Sequence, residues 1–290
     1  MLLRTHSCPD LHCRHEGRHV HIYENYGADA ILSRAEPVYV PLRPPSFDFD
    51  ADELEAAFKQ RPKALILCNP SNPCGKVFTR GELDVIADMA KKYDAYVLTD
   101  EVYEHIVYTP HLHTYMASLP GMFERTLSCS SLSKTYSMTG WRLGYIIAPE
   151  EIMDVAKKVH DFLTVGAAAP LQEAAVVGLR FGKPYYDALL REYAEKRELF
   201  LKGLDDLGIR HTTPEGAYYV MIDISEFGYE SDLDFCEKLA ERVGVGAVTG
   251  SSFFREDVNH LIRLHFAKKK DTLYEALNRL EKMKEKMSRR

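Results

Sequence analysis

Three short polar clusters carry the residue types that could do chemistry. Asn69-Pro-Ser-Asn72-Pro-Cys-Gly75 follows the apolar run 63–68, Asp100-Glu-Val-Tyr103-Glu follows 95–99, and Ser130-Ser131-Leu-Ser133-Lys134 follows 125–129. Each apolar run has the length and composition of a buried strand in a parallel sheet. The clusters therefore fall at one sheet mouth, beyond the carboxyl ends of the strands, where open α/β sheets bind ligands. Together they bring an amine, a carboxylate, amides and hydroxyls to one place. Taken singly, each has a plainer reading. Two Asn-Pro pairs and a Gly usually make only a turn, because Pro fixes φ and Gly permits positive φ. An Asp ending a strand is often a helix cap, and a Lys in a Ser-rich loop is often on the surface.

The elements that must position these clusters are legible from periodicity. Strands are expected at 37–42, 63–68, 95–99, 125–129 and 143–148, and a helix at 79–93, where Leu83, Ile86, Ala87 and Ala90 share one face. Thr79 is its expected N-cap, with Glu82 three residues on completing a capping box. Strand alternating with helix predicts an α/β fold, a mostly parallel sheet flanked by helices. Long helical stretches follow at 150–165, 170–181 and 184–207. A strand at 218–223, a helix at 231–243, a strand at 261–266 and a helix at 271–287 then suggest a smaller α+β domain. The boundary is placed at Pro184, giving a large domain 1–183 and a small C-terminal domain 184–290.

Composition limits the alternatives. A chain of 290 residues, 46% hydrophobic and 28% charged, has the apolar content for a large core, which excludes disorder and fibrous folds. A balance of 37 basic against 43 acidic residues, with no basic stretch interleaved with aromatics, argues against nucleic acid as a partner. No apolar run approaches the roughly 20 residues that span a bilayer, and residues 1–22 lack the apolar segment of a secretory signal. Six scattered cysteines read as free thiols in a reducing compartment, so the expected location is cytoplasmic.

The three clusters, followed by Thr139-Gly-Trp-Arg142-Leu-Gly144, occur in a family's order. The signatures Asn-Pro-x-Asn-Pro-x-Gly, Asp-Glu-Val-Tyr-Glu and Ser-x-Ser-Lys-x-x-x-x-x-Gly-x-Arg resemble the fold-type I pyridoxal-phosphate enzymes, and more narrowly the class I/II aminotransferases. The resemblance runs from about Tyr23 to the C-terminus. It implies pyridoxal 5'-phosphate as cofactor, an amino acid and a 2-oxo acid as substrates, and a homodimer. It implies further that Lys134 is the Schiff-base lysine and that Asp100 pairs with the pyridine nitrogen. Asn72 and Tyr103 would bond the phenolic oxygen, Ser131 and Arg142 would hold the phosphate, and Tyr23 would stack on the ring. Arg263, with Asn72 beside it at the substrate, would grip the α-carboxylate; the plainer reading of Arg263 is a rim salt bridge. Gly216-Ala-Tyr218 and Gly250-Ser-Ser-Phe253-Phe resemble loops that close over substrate, although Thr249 stands where the family commonly has Pro. The amino donor stays open among aspartate, methionine, aromatic and kynurenine types.

The sequence also departs from the pattern. The family implies a longer chain with an N-terminal arm, an edge strand, a Gly/Ala-rich helix start for the phosphate, and a Tyr that reaches the neighbouring subunit. None of these is found here, which predicts an open sheet edge and weakened cofactor affinity. Residues 1–22 carry His6, Cys8, His12, Cys13, His15, His19 and His21 instead, in a spacing that fits no zinc template, so no metal site is assigned. They read as an altered or mis-started N-terminus, with His19–Tyr23 as the strand leading to the stacking aromatic. Two rival functions accompany the main one. One is a C–S β-lyase on the same scaffold, against which Tyr103 counts. The other is a non-catalytic, N-terminally truncated relative.

Overall fold

The alternating apolar runs fold as strands and the amphipathic runs between them as helices. A computed structural model of the protein describes residues 2–5, 24–254 and 258–288. In chain order the first part forms β1 (Leu2–Thr5), α1 (Glu24–Leu32), β2 (Ala35–Val38), α2 (Ala51–Phe58), β3 (Ala64–Cys68), α3 (Arg80–Lys92) and β4 (Tyr96–Asp100). It continues with β5 (Thr126–Ser131), α4 (Leu132–Thr135), β6 (Gly144–Ile147), α5 (Glu150–Thr164), α6 (Ala169–Leu179) and α7 (Lys183–Asp206). The remainder is β7 (Tyr219–Asp223), α8 (Asp232–Lys238), β8 (Val248–Thr249), β9 (Leu261–His265), α9 (Lys270–Leu280) and α10 (Met283–Met287).

The larger sheet has the order β2-β1-β3-β4-β5-β6. Its centre is parallel: β3 pairs with β4 and β4 with β5, bringing Cys68 level with Asp100 and Asp100 level with Cys129. Its flanks are antiparallel, with β6 on β5 and β1 between β3 and β2. No strand is legible in residues 2–5 from sequence, because four residues are too few to show a period; β1 is made by its neighbours, Leu2 opposing both Val38 and Leu65. The expected strand His19–Tyr23 lies outside the described residues. Strand β2 is shorter and earlier than the expected 37–42, and its Pro37 fits the outermost position, where a missing N–H costs no ladder bond. At the other edge, Ile146 and Ile147 of β6 are exposed.

Helix α3 forms as its capping box predicts. The Thr79 hydroxyl accepts from the Glu82 N–H at 3.2 Å, and Glu82 accepts from the Thr79 N–H at 2.8 Å. Its Leu83, Ile86, Ala87 and Ala90 are all buried against Phe58, Leu65, Leu67 and Val97. The expected helix 231–243 continues beyond α8 as a π-helical turn, Leu239–Val243, and the expected 271–287 is broken into α9 and α10.

The smaller sheet, β7-β9-β8, is antiparallel. Its core joins Val220, Ile222, Ile262 and Phe266 to Phe200 and Leu204 of α7, and takes in Tyr103, Ile106 and Tyr108 from the segment after β4. The two sheets are also stitched at Gly75. Its carbonyl accepts from the N–H groups of Glu215 and Gly216 at 2.9 and 2.8 Å. Gly75 has φ +73°, and a Cβ there would lie 2.4 Å from Pro214 Cβ. Only glycine meets both demands. Gly75→Ala is therefore expected to lower stability by about 2 kcal/mol or more, read as a fall in the urea midpoint.

Buried Glu101 and half-buried His113 titrate out of their usual ranges. Burial pushes the Glu101 carboxyl up to about 7 from an ordinary 4.5, helped by Glu104 and Asp100. Burial pushes His113 down to about 4 from 6.5, and neither ring nitrogen has a hydrogen-bond partner among the described residues. Between about 4.5 and 7 folded Glu101 keeps a proton that the unfolded chain releases, so its contribution to stability falls as pH rises. Between about 4 and 6.5 the unfolded chain binds a proton that folded His113 refuses, so that contribution rises with pH. The two slopes oppose each other. Glu101→Gln removes the first, and urea unfolding at pH 5, 5.5, 6 and 6.5 should then show stability rising with pH more steeply than in the wild type, by up to about 1.4 kcal/mol per unit.

Candidate active site

Because β3, β4 and β5 run parallel and in register, with β5 only two residues longer at this edge, the segments that follow them meet. Asn72, Asp100, Tyr103, Ser131, Lys134 and Arg142 all line one cavity of about 310 Å³. The loop after β3 is shaped by its other asparagine: the Asn69 N–H donates to the Asp100 carbonyl at 3.0 Å, and its side-chain oxygen accepts from the Phe78 N–H at 3.1 Å. The turn reading thus holds for Asn69, while Asn72 faces the cavity.

Asp100 ends β4 with both carboxylate oxygens engaged. One accepts from the Val102 N–H at 3.2 Å and the other from the Tyr26 hydroxyl at 2.5 Å. Ser131 caps α4, its hydroxyl accepting from the Ser133 N–H at 3.1 Å. Arg142 follows a 3₁₀ turn in the left-handed region, φ 57°, and donates to the Thr139 carbonyl at 3.1 Å. Lys134 is half-buried on α4, its Nζ 6.0 Å from the centre of the Tyr218 ring. Burial is the main cause that lowers its proton affinity below the lysine norm, and the positive charges of Arg142 and Arg263 add to it. Held among cations, this amine is shifted toward its neutral, nucleophilic form.

Arg263 reaches the site from β9. Its Nη1 donates to the Asn72 side-chain oxygen at 2.6 Å, and the guanidinium lies 4.4 Å from the Tyr219 ring centre and 4.5 Å from that of Phe253. It has no acidic partner among the described residues, so the rim salt bridge does not form there. Tyr103 is 3% exposed, and its hydroxyl lies 2.8 Å from that of Tyr219. Tyr23 lies outside the described residues.

Residues 20–280 match the family model described as aminotransferase class I and II. The chain belongs to that family. Kynurenine–oxoglutarate transaminase 3 of Mus musculus is 35% identical over 284 residues, a match covering 88% of this chain and 62% of the relative. Aspartate aminotransferase of Pyrococcus abyssi is 35% identical over 264 residues, covering 90% and 67%. Among solved structures, N-succinyldiaminopimelate aminotransferase from Mycobacterium tuberculosis superposes with a TM-score of 0.85 at 36% identity, covering 89% of this chain and 68% of that one. The chain spans about two thirds of the length of the relatives it matches.

For this class I/II aminotransferase chain, three contacts were not legible in sequence. Tyr26 reaches Asp100 across 74 residues, and Tyr219 and Phe253 flank Arg263. The sequence signalled them only indirectly: Tyr26 stands three residues after Tyr23, Tyr219 directly follows Gly216-Ala-Tyr218, and Phe253 lies in the segment Gly250-Ser-Ser-Phe253-Phe. The depressed proton affinity of Lys134 has its own check. In competitive labelling with an amine reagent followed by peptide mapping, Lys134 should react at lower pH than the exposed lysines. Arg142→Gln should move its midpoint up part of the way, because burial remains.

Proposed function

We propose that the chain is a pyridoxal-phosphate-dependent aminotransferase that moves an amino group from an L-amino acid to a 2-oxo acid. The observation that carries this reading is the convergence of Lys134 and Asp100 on one cavity, with Arg263 bonded to Asn72 beside it. The donor set fits the cofactor's functional groups. Lys134 would hold the aldehyde as covalent anchor, Asp100 the ring nitrogen, Asn72 and Tyr103 the phenolic oxygen, and Ser131 and Arg142 the phosphate. A carboxylate offers about four lone-pair sites, so Asp100 can accept another donor beside Tyr26 and Val102. Arg142 presents a fork suited to two phosphate oxygens. When bound, pyridoxal phosphate supplies the electron sink for the charge left when an amino acid loses its α-proton.

The protein's own groups do the rest. Arg263 binds the substrate carboxylate in the fixed plane set by its two aromatic neighbours and Asn72, which orients the α-carbon. The free-base Nζ of Lys134 takes the α-proton, a task for which its lowered proton affinity prepares it. The Asp100 carboxylate keeps a proton at the ring nitrogen, its position fixed by Tyr26 and Val102. Tyr219 walls the site on the small-sheet side, with Tyr218 beside Lys134 and Phe253 beside Arg263.

The same reading extends to organisation. A large domain over 1–183 and a small domain over 184–290 are supported by the two separate sheets and by the start of α7 at Lys183. A homodimer is supported by α5, which buries no residue and exposes Val155, Val159 and Phe162 as one apolar stripe. No described helix is long and apolar enough to cross a membrane. A cytoplasmic location is supported by Cys68, Cys74, Cys129 and Cys236, all of them free thiols.

Apo protein mixed with pyridoxal phosphate should turn yellow, and borohydride should fix the cofactor to the peptide carrying Lys134. Lys134→Ala should take up no label. Asp100→Ala should keep most cofactor binding but slow the amino-acid half-reaction by about a hundredfold or more. Label spread over surface lysines would overturn the reading. Pyruvate released from cystathionine without a 2-oxo acid would point to the lyase.

A further inference from the structure

Tyr219 stands where the two halves of the site meet. Strand β7 pairs with β9 so that Tyr219 opposes His265 and Met221 opposes Arg263, which makes Tyr219 and Arg263 diagonal neighbours on one sheet face. The Tyr219 ring lies under the guanidinium at 4.4 Å, and its hydroxyl lies 2.8 Å from that of Tyr103. The side chain is buried, and it lines the cavity that Asp100 and Lys134 share. One residue therefore touches, with different parts, the group assigned to the substrate carboxylate and the group assigned to the cofactor's phenolic oxygen.

We propose that Tyr219 is a positioning residue with two separable roles: its ring fixes the plane of Arg263 for a carboxylate, and its hydroxyl fixes Tyr103 as a donor into the cavity. The inference rests on the roles given to Arg263 and Tyr103 above. The ring role follows from geometry. An arginine fork binds a carboxylate well only when its plane is set. An aromatic face on the guanidinium, with Asn72 holding Nη1, sets that plane while leaving other N–H groups for a ligand. The hydroxyl role follows from hydrogen-bond polarity. If Tyr219 donates to the Tyr103 oxygen, the Tyr103 proton is directed elsewhere and becomes a stronger donor through the chain. A donor at the phenolic oxygen competes with the proton carried by the anchoring nitrogen, so strengthening it lowers that nitrogen's proton affinity.

Two substitutions separate the roles in the cofactor-loaded protein. Glutarate, which lacks the 2-oxo group of an acceptor and does not react, serves as the carboxylate probe by calorimetric titration. The pH midpoint of the bound cofactor's absorbance reports the second role. Tyr219→Phe keeps the ring, so glutarate affinity should stay within about twofold while the absorbance midpoint rises by a few tenths of a pH unit. Tyr219→Leu removes the ring as well, and glutarate affinity should fall by about threefold to thirtyfold. An unmoved midpoint in Tyr219→Phe, or wild-type glutarate affinity in Tyr219→Leu, would overturn the inference. Equal loss of affinity in both variants would also overturn it, since that is what a merely structural role would give. Arg263→Ala separates this failure from that of the site assignment. If it abolishes glutarate binding while Tyr219→Leu does not, only the role of Tyr219 falls; if it leaves binding intact, the carboxylate assignment falls with it.

Discussion

Parallel strands that leave a sheet in register must deliver whatever follows them to the same edge, and here that constraint makes the site. Cys68, Asp100 and Cys129 sit side by side across β3, β4 and β5. The residues that follow carry on the sheet's hydrogen bonding: Asn69 donates to the Asp100 carbonyl, and Glu101 to the Cys129 carbonyl. An amide loop, a carboxylate turn and a lysine-bearing helix therefore begin within a strand spacing or two of one another. Asn72 and Lys134, 62 positions apart in sequence, become walls of one cavity because the strands before them run parallel and in register.

The second constraint is electrostatic. Lys134, Arg142 and Arg263 bring three positive groups toward one half-buried region, and among the described residues Asp100 is the one carboxylate that lines the cavity. Such an arrangement disfavours protonation of the group most easily neutralised. Arginine holds its proton under almost any conditions, so the cost falls on the lysine. The same excess of positive charge suits anionic ligands, a phosphate and a carboxylate, whose binding would relieve it. The surrounding tyrosines make the region partly apolar without leaving polar atoms unpaired, as the Tyr103–Tyr219 hydroxyl contact illustrates.

The third is the seam between the sheets. Tyr103, Ile106 and Tyr108 leave the large sheet and enter the core of the small one, and Gly75 bonds the segment before β7. The site therefore lies between bodies that share a core and a backbone bond. Arg263 and Tyr219, both on the small sheet, are held against Asn72 and Tyr103, which stand on the segments that follow β3 and β4.

Local physics made much of this legible in the sequence. The spacing of Leu83, Ile86, Ala87 and Ala90 and the Thr79–Glu82 pair fixed α3, because helix period and capping are properties of neighbours along the chain. The apolar runs ending at Cys68, Thr99 and Cys129 marked three strands, and their polar sequels marked the mouth. Tertiary structure decided what depends on partners distant in sequence. Leu2–Thr5 became a strand because Leu65 and Val38 offered unpaired backbone, and α5 remained a helix with no buried face. Tyr26 met Asp100, and Tyr219 met Arg263, through packing and strand register that no local pattern encodes. Periodicity records which face of an element is apolar; it carries no information about which other element that face, or the polar group beside it, will meet.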